Sequence, residues 1–380
     1  MNTTVTLPCG RLSVSIHQAR WPLEALCGFA CRRNRKRGFL FVSKVLGKHI
    51  PVRPALMRQS HHDLTLLLPE LPGPVLFVAL AETATALGQG LFEHWLRHTG
   101  RGDALFLHTT RYRLRRPLAL TFDESHSHAP EHLLYRPVAP EDAKLFHSAR
   151  TLVLIDDEIS TGATLVNLAR ACLRLNPSLA SVHLVCLTDW SGEARRTEIQ
   201  RHLERPVAFH CLLRGEYRFE ADPEFDPGPL PDVIGRDDFK DHLLPAEGGR
   251  LGLRRPAEPS WSVSPGSNNQ QADAAPLAGS RVLVLGTGEF AYPPYLLARQ
   301  LETRGLEVWY QSTTRSPILP GGAIESVLEF ADNYGDGMPN YVYNVRPGAY
   351  DRVLIGYETW PLPADHRLAE LLSAQVLVAR

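Results

Sequence analysis

The chain has 380 residues, 44% of them hydrophobic and 22% charged, which is ordinary for a globular protein of about two domains. Its 41 Lys and Arg residues balance its 41 Asp and Glu residues, so no overall charge favours nucleic acid or a membrane surface as a partner. Residues 1–20 lack a signal-peptide pattern, and no apolar run reaches the roughly 20 residues of a membrane span, so we expect a cytoplasmic protein.

Strand-like and helix-like segments alternate along the chain. The apolar patterns predict strands over 38–45 and 75–81, a helix over 84–98, strands over 104–108 and 151–155, a helix over 163–175 and a strand over 182–187. The alternation returns as strand 281–285, helix 294–304, and strands 306–310 and 352–356. It is typical of an α/β fold, a parallel sheet with flanking helices on both faces, followed here by a smaller C-terminal α/β domain.

The segment 248–279 separates these two parts. It is rich in Pro, Ser, Asn and Gln, and it has few apolar residues and no hydrophobic period. This composition predicts a flexible linker between a first domain of residues 1–247 and a second domain of residues 280–380.

The stretch from 151 to 175 carries the clearest sign of chemistry. An apolar strand ends at Asp156 and Asp157, a short turn with Gly162 follows, and a helix begins directly after it. In an open parallel sheet, ligands bind beyond the carboxyl ends of the strands, and a helix N-terminus attracts phosphate. The stretch therefore predicts a phosphate site beside two carboxylates, which can accept hydrogen bonds from sugar hydroxyls. The alternative is that the carboxylates only cap the helix.

This run resembles the signature of type I phosphoribosyltransferases, although Ala163 stands where many members have a second glycine. The resemblance implies the type I phosphoribosyltransferase fold and 5-phosphoribosyl-1-diphosphate as substrate, handled as its Mg²⁺ complex. It implies that Asp156 and Asp157 hold the ribose hydroxyls, act in catalysis and contact the metal. It also implies that the 5-phosphate is bound by the turn residues Ser160, Thr161, Gly162, Ala163 and Thr164.

A second loop follows the predicted strand over 75–81. Type I enzymes place a diphosphate-binding loop after an earlier strand, and the residues in the matching place are Glu82, Thr83, Ala84 and Thr85. Glu82 is unusual beside a diphosphate, so a metal ion or another part of the substrate is its alternative partner.

The segment 109–137 matches the mobile loop with which type I enzymes cover the reacting sugar. Closure would exclude water, and cations would stabilise the departing diphosphate. The sequence does not single out one of its many charged residues as the catalytic group. We take Arg113, His126 and His128 as the catalytic candidates. The alternatives for these histidines and for His132 are a transition-metal site or plain solvent exposure.

The second domain carries Thr314-Arg315-Ser316-Pro317 after a strand and Gly288-Glu289-Phe290 in an earlier turn. With these motifs the chain resembles the orotate-phosphoribosyltransferase-like proteins of bacteria that have a C-terminal TRSP domain. The resemblance implies a place in tellurium-resistance and stress-response gene clusters and the synthesis of a ribosylated, nucleoside-like small molecule. It leaves the TRSP domain either to bind the acceptor or to complete the site across the linker. A homodimer is also expected, since type I enzymes often dimerise.

Three functions fit the sequence to different degrees. The favoured one is an enzyme that ribosylates a nitrogenous base or related small molecule, because an arginine-rich loop accompanies the phosphate turn. The others are a non-catalytic regulatory protein that binds phosphoribosyl diphosphate, and a nicotinamide-dependent oxidoreductase built on the incomplete glycine turn at 286–288. The basic run 32–37 is either a solvated turn or a wall of the anionic substrate's site, and residues 188–190 are candidates for contacting the acceptor.

Overall fold

The computed structural model of the protein describes residues 2–34, 37–123, 131–229, 239–240, 248–263 and 279–380. His126 and His128, two of the predicted catalytic residues, lie outside these ranges, as do residues 264–278 of the predicted linker.

The described residues form eight helices and twenty strands. In chain order the helices are α1 (Leu23–Leu26), α2 (Pro54–Thr65), α3 (Thr85–Thr99), α4 (Pro140–Ser148), α5 (Ala163–Leu175), α6 (Gly192–Leu203), α7 (Tyr292–Thr303) and α8 (Leu368–Leu371). The strands are β1 (Asn2–Leu7), β2 (Gly10–Ala19), β3 (Cys27–Arg32), β4 (Phe39–Ser43), β5 (Val75–Ala79), β6 (Ala104–His108), β7 (Leu118–Asp123), β8 (Glu131–Tyr135), β9 (Thr151–Ile155), β10 (Glu158–Ile159), β11 (Ser181–Asp189), β12 (Val207–Ala221), β13 (Trp261–Val263), β14 (Arg281–Gly286), β15 (Glu307–Ser312), β16 (Ile318–Leu319), β17 (Val327–Ala331), β18 (Pro339–Tyr343), β19 (Arg352–Tyr357) and β20 (Gln375–Ala379). No helix in this part of the chain is long and apolar enough to cross a membrane.

The largest sheet contains the predicted parallel strands. Its order is β1-β2-β12-β11-β9-β5-β6, with the short β10 paired beside β11. Strands β12, β11, β9, β5 and β6 run parallel to one another, and the β1–β2 hairpin adds antiparallel strands at one edge. The α/β class and the parallel sheet predicted from the sequence are therefore confirmed.

Helices cover both faces of this sheet. Every residue of β5, β6 and β9 is buried, as expected for parallel strands with helices on each side. On one face, Phe92 and Trp95 of α3 pack with Phe77 of β5, and on the other, Leu168 of α5 and Ile199 of α6 pack in a second core. Each such side chain contributes roughly 1.5–3 kcal/mol through burial, so the carboxyl ends of the strands project from a rigid base.

A second sheet forms the C-terminal domain, in the order β13-β20-β19-β14-β15. Strands β20, β19, β14 and β15 run parallel to one another, and β13 pairs antiparallel with β20 at the edge. Helix α7 lies between this sheet and the first domain, because Tyr295 shares one apolar core with Met57 of α2 and Ala86 of α3. The two domains thus pack directly on each other.

A three-stranded antiparallel sheet draws on both domains. Its order is β16-β3-β4, with Ile318 and Leu319 paired to Arg32 and Cys31. The strand predicted over 38–45 is present here as β4, so the expectation that it belongs to the parallel sheet was wrong. An apolar strand pattern gives the element, but it does not say which strand becomes its neighbour.

The first residues of the predicted linker pack against the large sheet. The Leu253 carbonyl accepts from the Phe106 amide at 2.9 Å, and β13 pairs with β20 of the second sheet. Gly249 and Gly252, with φ of +90° and +105°, permit this close course along the edge strand β6. The expectation of a flexible linker from residue 248 onward is therefore corrected for residues 248–263. Composition did not indicate this pairing, because backbone hydrogen bonds do not require apolar side chains.

Candidate active site

One cavity of about 300 Å³ opens where the loops after β5 and β9 meet the second domain. Its walls come from the loop after β5, the turn after β9, the basic run near β3, and two segments of the second domain. The lining residues are Arg32, Arg33, Asn34, Arg37, Leu40, Phe41, His49, Leu80, Ala81, Glu82, Thr83, Arg111, His132, Asp156, Asp157, Glu158, Ser160, Thr161, Gly162, Ala163, Thr164, Leu165, Thr314, Arg315, Ser316, Pro317, Met338 and Pro339.

The turn between β9 and α5 has the form that the sequence predicts. Gly162 is the residue before the helix, and its φ of +66° is one that residues with a side chain rarely adopt. A Cβ at this position would also lie 2.7 Å from Cδ1 of Ile199. The first turn of a helix leaves its amide groups without partners inside the helix, so residues 160–164 present N–H groups and hydroxyls at the cavity wall.

The two carboxylates after β9 are held by neighbouring groups. Oδ1 of Asp157 accepts a hydrogen bond from the Thr83 hydroxyl at 2.8 Å, and Oδ1 of Asp156 accepts from the Asp157 amide at 2.9 Å. Burial, and then the charge of Glu158, raise the pKa of Asp157 above its ordinary value, although the Thr83 hydrogen bond acts in the opposite direction. The loop after β5 and the acidic pair after β9 are therefore joined directly.

The basic run lies in the cavity wall. Arg37 forms an ion pair with Glu158 and stacks 5.0 Å from the ring centroid of Phe39, and its Nη1 lies 3.4 Å from the Ser160 hydroxyl. The Arg33 amide donates to the Pro317 carbonyl at 3.2 Å. The sequence left two interpretations of this run, a solvated turn or a wall of the substrate site. The observed arrangement agrees with the second.

Glu82 has a lysine as its partner. Nζ of Lys48 lies 2.7 Å from Oε1 of Glu82 and donates to the Gly288 carbonyl at 3.0 Å. Burial lowers the pKa of Lys48 even though Glu82 opposes the shift. Ala84 and Thr85 are buried and do not line the cavity; the Thr85 hydroxyl instead donates to the Glu82 carbonyl at 3.3 Å. Only Glu82 and Thr83 of the predicted diphosphate loop reach the wall.

The arginine-rich loop contributes a residue other than the predicted one. Arg111 lines the cavity, and its amide donates to Oε1 of Glu289 at 2.8 Å. Arg113 does not line it, and the Arg113 carbonyl accepts from the Lys240 amide at 2.8 Å. His132 lines the cavity, buried against Phe122 with ring centroids 4.9 Å apart, so solvent exposure does not describe this histidine.

The TRSP motif lies in the same cavity wall. Arg315 donates to the Tyr112 hydroxyl at 2.6 Å, lies over the Tyr112 ring, and pairs with Asp336 at 3.2 Å. The Thr314 amide and carbonyl pair with Tyr341 of β18. The second domain therefore contributes residues to the cavity, in agreement with one of the two roles expected for it.

A buried ionic cluster joins the domains behind this wall. Arg250 bonds Glu358 at 2.6 and 2.7 Å and Glu289 at 3.0 Å, and Tyr334 donates to Glu358 at 2.8 Å. Arg250, Glu289 and Glu358 are at most 7% exposed. The sequence analysis gave no role to Arg250 or Lys48, although the Gly288-Glu289 pair in the family motif pointed to this region.

Two further expectations concern residues that lie elsewhere. Gly288, in the turn considered for a dinucleotide, is bonded through its amide to the Thr313 hydroxyl at 2.9 Å and does not line the cavity. Trp190 is buried behind the wall, where it stacks on Phe41 with ring centroids 4.4 Å apart. Asp189 pairs with Arg196. Residues 188–190 therefore support the wall and do not form it.

Comparison with known proteins gives two family matches. Residues 26–216 match the family described as phosphoribosyl transferase, and residues 247–374 match the TRSP domain described as C-terminal to that transferase. No curated protein matches the chain.

Solved structures similar to the chain include three transferases. APRTase from Giardia lamblia, complexed with 9-deazaadenine, is 15% identical over 52% of this chain and 98% of its own, with a TM-score of 0.34. Adenine phosphoribosyltransferase from Rhodothermus marinus is 17% identical over 50% of this chain and 96% of its own, with a TM-score of 0.32. The Trypanosoma brucei enzyme, in complex with AMP, pyrophosphate and ribose-5-phosphate, is 12% identical over 50% and 77%, with a TM-score of 0.35.

Proposed function

The chain belongs to the phosphoribosyl transferase family, and we propose that it uses 5-phosphoribosyl-1-diphosphate to ribosylate a nitrogenous base or related small molecule. One observation carries the proposal. The acidic pair Asp156–Asp157, the turn at 160–164 and the loop at 81–83 line one cavity, at the carboxyl ends of neighbouring parallel strands. Such a cavity offers a phosphate site and sugar-hydroxyl acceptors within reach of each other.

Each segment has a proposed role. The amides and hydroxyls of residues 160–164 bind the 5-phosphate, and Asp156 and Asp157 accept hydrogen bonds from the ribose hydroxyls. Thr83, beside the Lys48–Glu82 pair, contacts the diphosphate. Ala84 and Thr85 support that loop from within α3, since neither lines the cavity.

The chemistry asks for positioning and charge stabilisation. The bond from ribose C1 to the diphosphate oxygen breaks with its electron pair, the acceptor nitrogen forms the new bond to C1, and that nitrogen loses its proton. Positive charge builds on the ribose in the transition state, beside Asp156 and Asp157, while Arg111 lies at the wall where it can balance the departing diphosphate. We propose Arg111 for the catalytic role that was expected of Arg113, because Arg111 lines the cavity and Arg113 does not.

Mg²⁺ fits the donor set of the cavity. Asp156 and Asp157 supply carboxylate oxygens, and the described residues contain no group of three or more His, Cys, Asp or Glu able to hold a metal ion. Magnesium keeps most of its ligands as water and substrate phosphate, so one or two protein carboxylates suffice. When bound, the ion would neutralise diphosphate charge, and these two aspartates are the residues that would contact it.

The direct test is turnover by the purified full chain. Calorimetry measures affinity for phosphoribosyl diphosphate with Mg²⁺, and a coupled assay measures diphosphate release with a panel of nucleobases, with products identified by mass spectrometry. We expect binding together with base-dependent diphosphate release. A folded sample with no affinity for phosphoribosyl diphosphate would refute the proposal, and binding without turnover of any base would favour the regulatory alternative.

We further propose that the product is a nucleoside-like metabolite of the tellurium-resistance and stress response, as the resemblance noted in the sequence implies. A cytoplasmic location and a homodimeric assembly stay predictions from the sequence.

A further inference from the structure

Two cysteines from separate strands of the first domain lie in contact. The Cys31 thiol donates to Sγ of Cys9 at 2.7 Å, and the Cys9 amide donates to Sγ of Cys31 at 3.3 Å. Cys9 lies in the turn between β1 and β2, and Cys31 lies on β3, 22 positions later in the chain. Both are free thiols, and neither has a role in the function proposed above. We call Cys9 and Cys31 the thiol pair.

The thiol pair is held in place by backbone hydrogen bonds on both sides. The Cys9 carbonyl accepts from the Asp222 amide at 3.0 Å, and Cys31 is paired with Phe39 of β4 and Leu319 of β16. A disulfide bond measures about 2.05 Å, so the two sulfur atoms need to approach each other by only about 0.7 Å. The strands can therefore stay where they are when the bond forms.

The thiol pair is shielded from solvent by an element at the edge of the large sheet. Cys9 and Cys31 are only 2% and 4% exposed. Burial, and then the hydrogen bond with Cys31, raise the pKa of Cys9 to about 12, so this thiol is protonated near pH 7 and unreactive while it stays buried. Among the described residues β1 pairs with β2 alone, so the β1–β2 turn can open locally while the parallel strands remain paired.

A second pair of cysteines offers a comparison within the same chain. Cys186 and Cys211 are neighbours in register on the parallel strands β11 and β12, and Cys186 is fully buried. These strands lie inside the large sheet, between β9 and β2. Exposing Cys186 would require central strands to separate, whereas exposing the thiol pair requires only the edge turn to open. A reagent in solution should therefore react first at the thiol pair.

We propose that the thiol pair is a redox modification site, at which a low-molecular-weight disulfide such as oxidised glutathione converts the two thiols into one disulfide bond. One cysteine thiolate attacks the reagent, forms a mixed disulfide and releases the first reagent thiolate. The second cysteine thiolate then displaces the other reagent thiolate. The two cysteine sulfurs lose two electrons to the reagent, and their two protons pass to the released thiolates.

The bond would join the outermost turn of the large sheet to the strand that leads into the cavity wall. Arg32 and Arg33 directly follow Cys31 and line the cavity, and the Arg33 amide donates to the Pro317 carbonyl of the second domain. Because the sulfur atoms already touch, oxidation fixes the β1–β2 turn against β3 without displacing this wall. Neither thiol lines the cavity, so the inference does not depend on the proposed function.

The test oxidises the folded full chain in buffers with a series of ratios of reduced to oxidised glutathione. Remaining thiols are blocked with N-ethylmaleimide before unfolding, and trypsin then releases residues 1–11, with Cys9, and residues 21–32, with Cys31. We expect these two peptides to be joined by the first disulfide that forms, and to separate again in dithiothreitol. Absence of the joined peptides at every glutathione ratio would overturn the proposal, and so would earlier bonding of Cys186 to Cys211.

Cys27 supplies the matched control, because it lies on the same strand as Cys31, is also buried, and belongs to the same tryptic peptide. Cys27→Ala should keep the joined peptides, whereas Cys9→Ala and Cys31→Ala should lose them. Fragmentation of the joined wild-type peptides locates the bond without the use of any variant. A bond at Cys27 in the wild-type protein would show that the thiol pair is not the modified site.

Hydrogen exchange measures the consequence for the fold. Oxidation should slow the exchange of amides in β1 and β2 by roughly 10- to 100-fold, because a cross-link restricts the opening of the loop that it closes. The same treatment should slow exchange in Cys27→Ala and leave it unchanged in Cys31→Ala. Unchanged exchange in wild-type protein that carries the joined peptides would contradict the fixing of the turn. Loss of phosphoribosyl diphosphate binding would refute the proposed function and leave these results standing.

Discussion

The Thr83 hydroxyl donates a 2.8 Å hydrogen bond to Oδ1 of Asp157, although the two residues are 74 positions apart in the chain. They meet because β5 and β9 are adjacent parallel strands, so the loops that follow them leave the sheet at the same edge. The bond links the proposed diphosphate loop to the proposed ribose site. A substitution at either residue should therefore change substrate binding at the other.

Thr83→Val should shift the pH dependence of phosphoribosyl diphosphate binding. The ionised form of Asp157 accepts the ribose hydroxyls, so binding should weaken as the pH falls through the Asp157 pKa, which burial and Glu158 raise. The Thr83 hydrogen bond lowers that pKa, so its loss should move the acid limb to higher pH and weaken binding by roughly 2- to 10-fold near neutrality. Calorimetry across a pH series measures both effects, with Thr99→Val at the distant end of α3 as control. An acid limb at the wild-type position would contradict the prediction.

Asp157→Asn should lower turnover strongly. The amide keeps the size of the side chain but removes its negative charge. That charge strengthens the hydrogen bonds from the ribose hydroxyls and stabilises the positive charge of the transition state. We expect kcat/KM to fall by roughly 10- to 100-fold or more, the equivalent of one or more charged hydrogen bonds. Diphosphate release measures the loss, and Asp365→Asn, at an exposed position of the second domain, is the matched control. Wild-type turnover in Asp157→Asn would remove Asp157 from the site.

Gly162→Ala should weaken phosphate binding as well as stability. The φ of +66° at Gly162 disfavours any side chain, by roughly 1–2 kcal/mol, and the new Cβ would lie 2.7 Å from Ile199. Gly100→Ala is a close control, since Gly100 has a φ of +65° with open space around it and ends α3 away from the cavity.

Both glycine variants should lose unfolding free energy in a urea titration. Only Gly162→Ala should also lose affinity for phosphoribosyl diphosphate, because the backbone of the phosphate turn would have to shift. If the two variants bound the substrate equally well, the turn at 160–164 would not be the phosphate site.

Arg250→Met should destabilise the whole protein by roughly 3–5 kcal/mol, because it leaves the buried carboxylates of Glu289 and Glu358 without their cation. The control Arg254→Met removes an arginine whose side chain is 46% exposed and which pairs with Asp142, and it should cost less than about 1 kcal/mol. Urea unfolding gives both values. Adding Glu358→Gln to Arg250→Met should recover part of the loss, and similar losses in the two single variants would mean that the cluster carries no special stability.

The local elements were predictable because their signals are local. The strand Thr151–Ile155 and the helix Ala163–Leu175 have the predicted bounds, since a run of four apolar residues, a glycine and a following proline set them. The neighbours of a strand depend on distant residues, so the antiparallel pairing of Phe39–Ser43 was not predictable from its own pattern. The path of residues 248–263 could not be predicted from composition either, because main-chain pairing depends little on side-chain type.

The residues of the candidate site also differ in whether their signals are local in the sequence. Asp157 and the turn at 160–164 lie together in sequence, and a single motif indicated them. Arg250 and Glu358 are 108 residues apart, and an arginine in a proline-rich stretch gives no sign that it is buried. The sequence analysis gave His49 no role, since the burial of its Nε2 atom, which has no partner among the described residues, depends on residues distant in the chain.

The sheet that β16 shares with β3 and β4 sets a limit on how this protein can be divided. A fragment that stops before residue 279 would expose one edge of β3 with its backbone groups unpaired, and exposed edges of this kind invite self-association. Expression of the transferase half alone should therefore yield aggregates, and supplying residues 279–380 as a separate polypeptide is the natural route to solubility. Gene fission or recombination within this architecture should survive only when both pieces remain together.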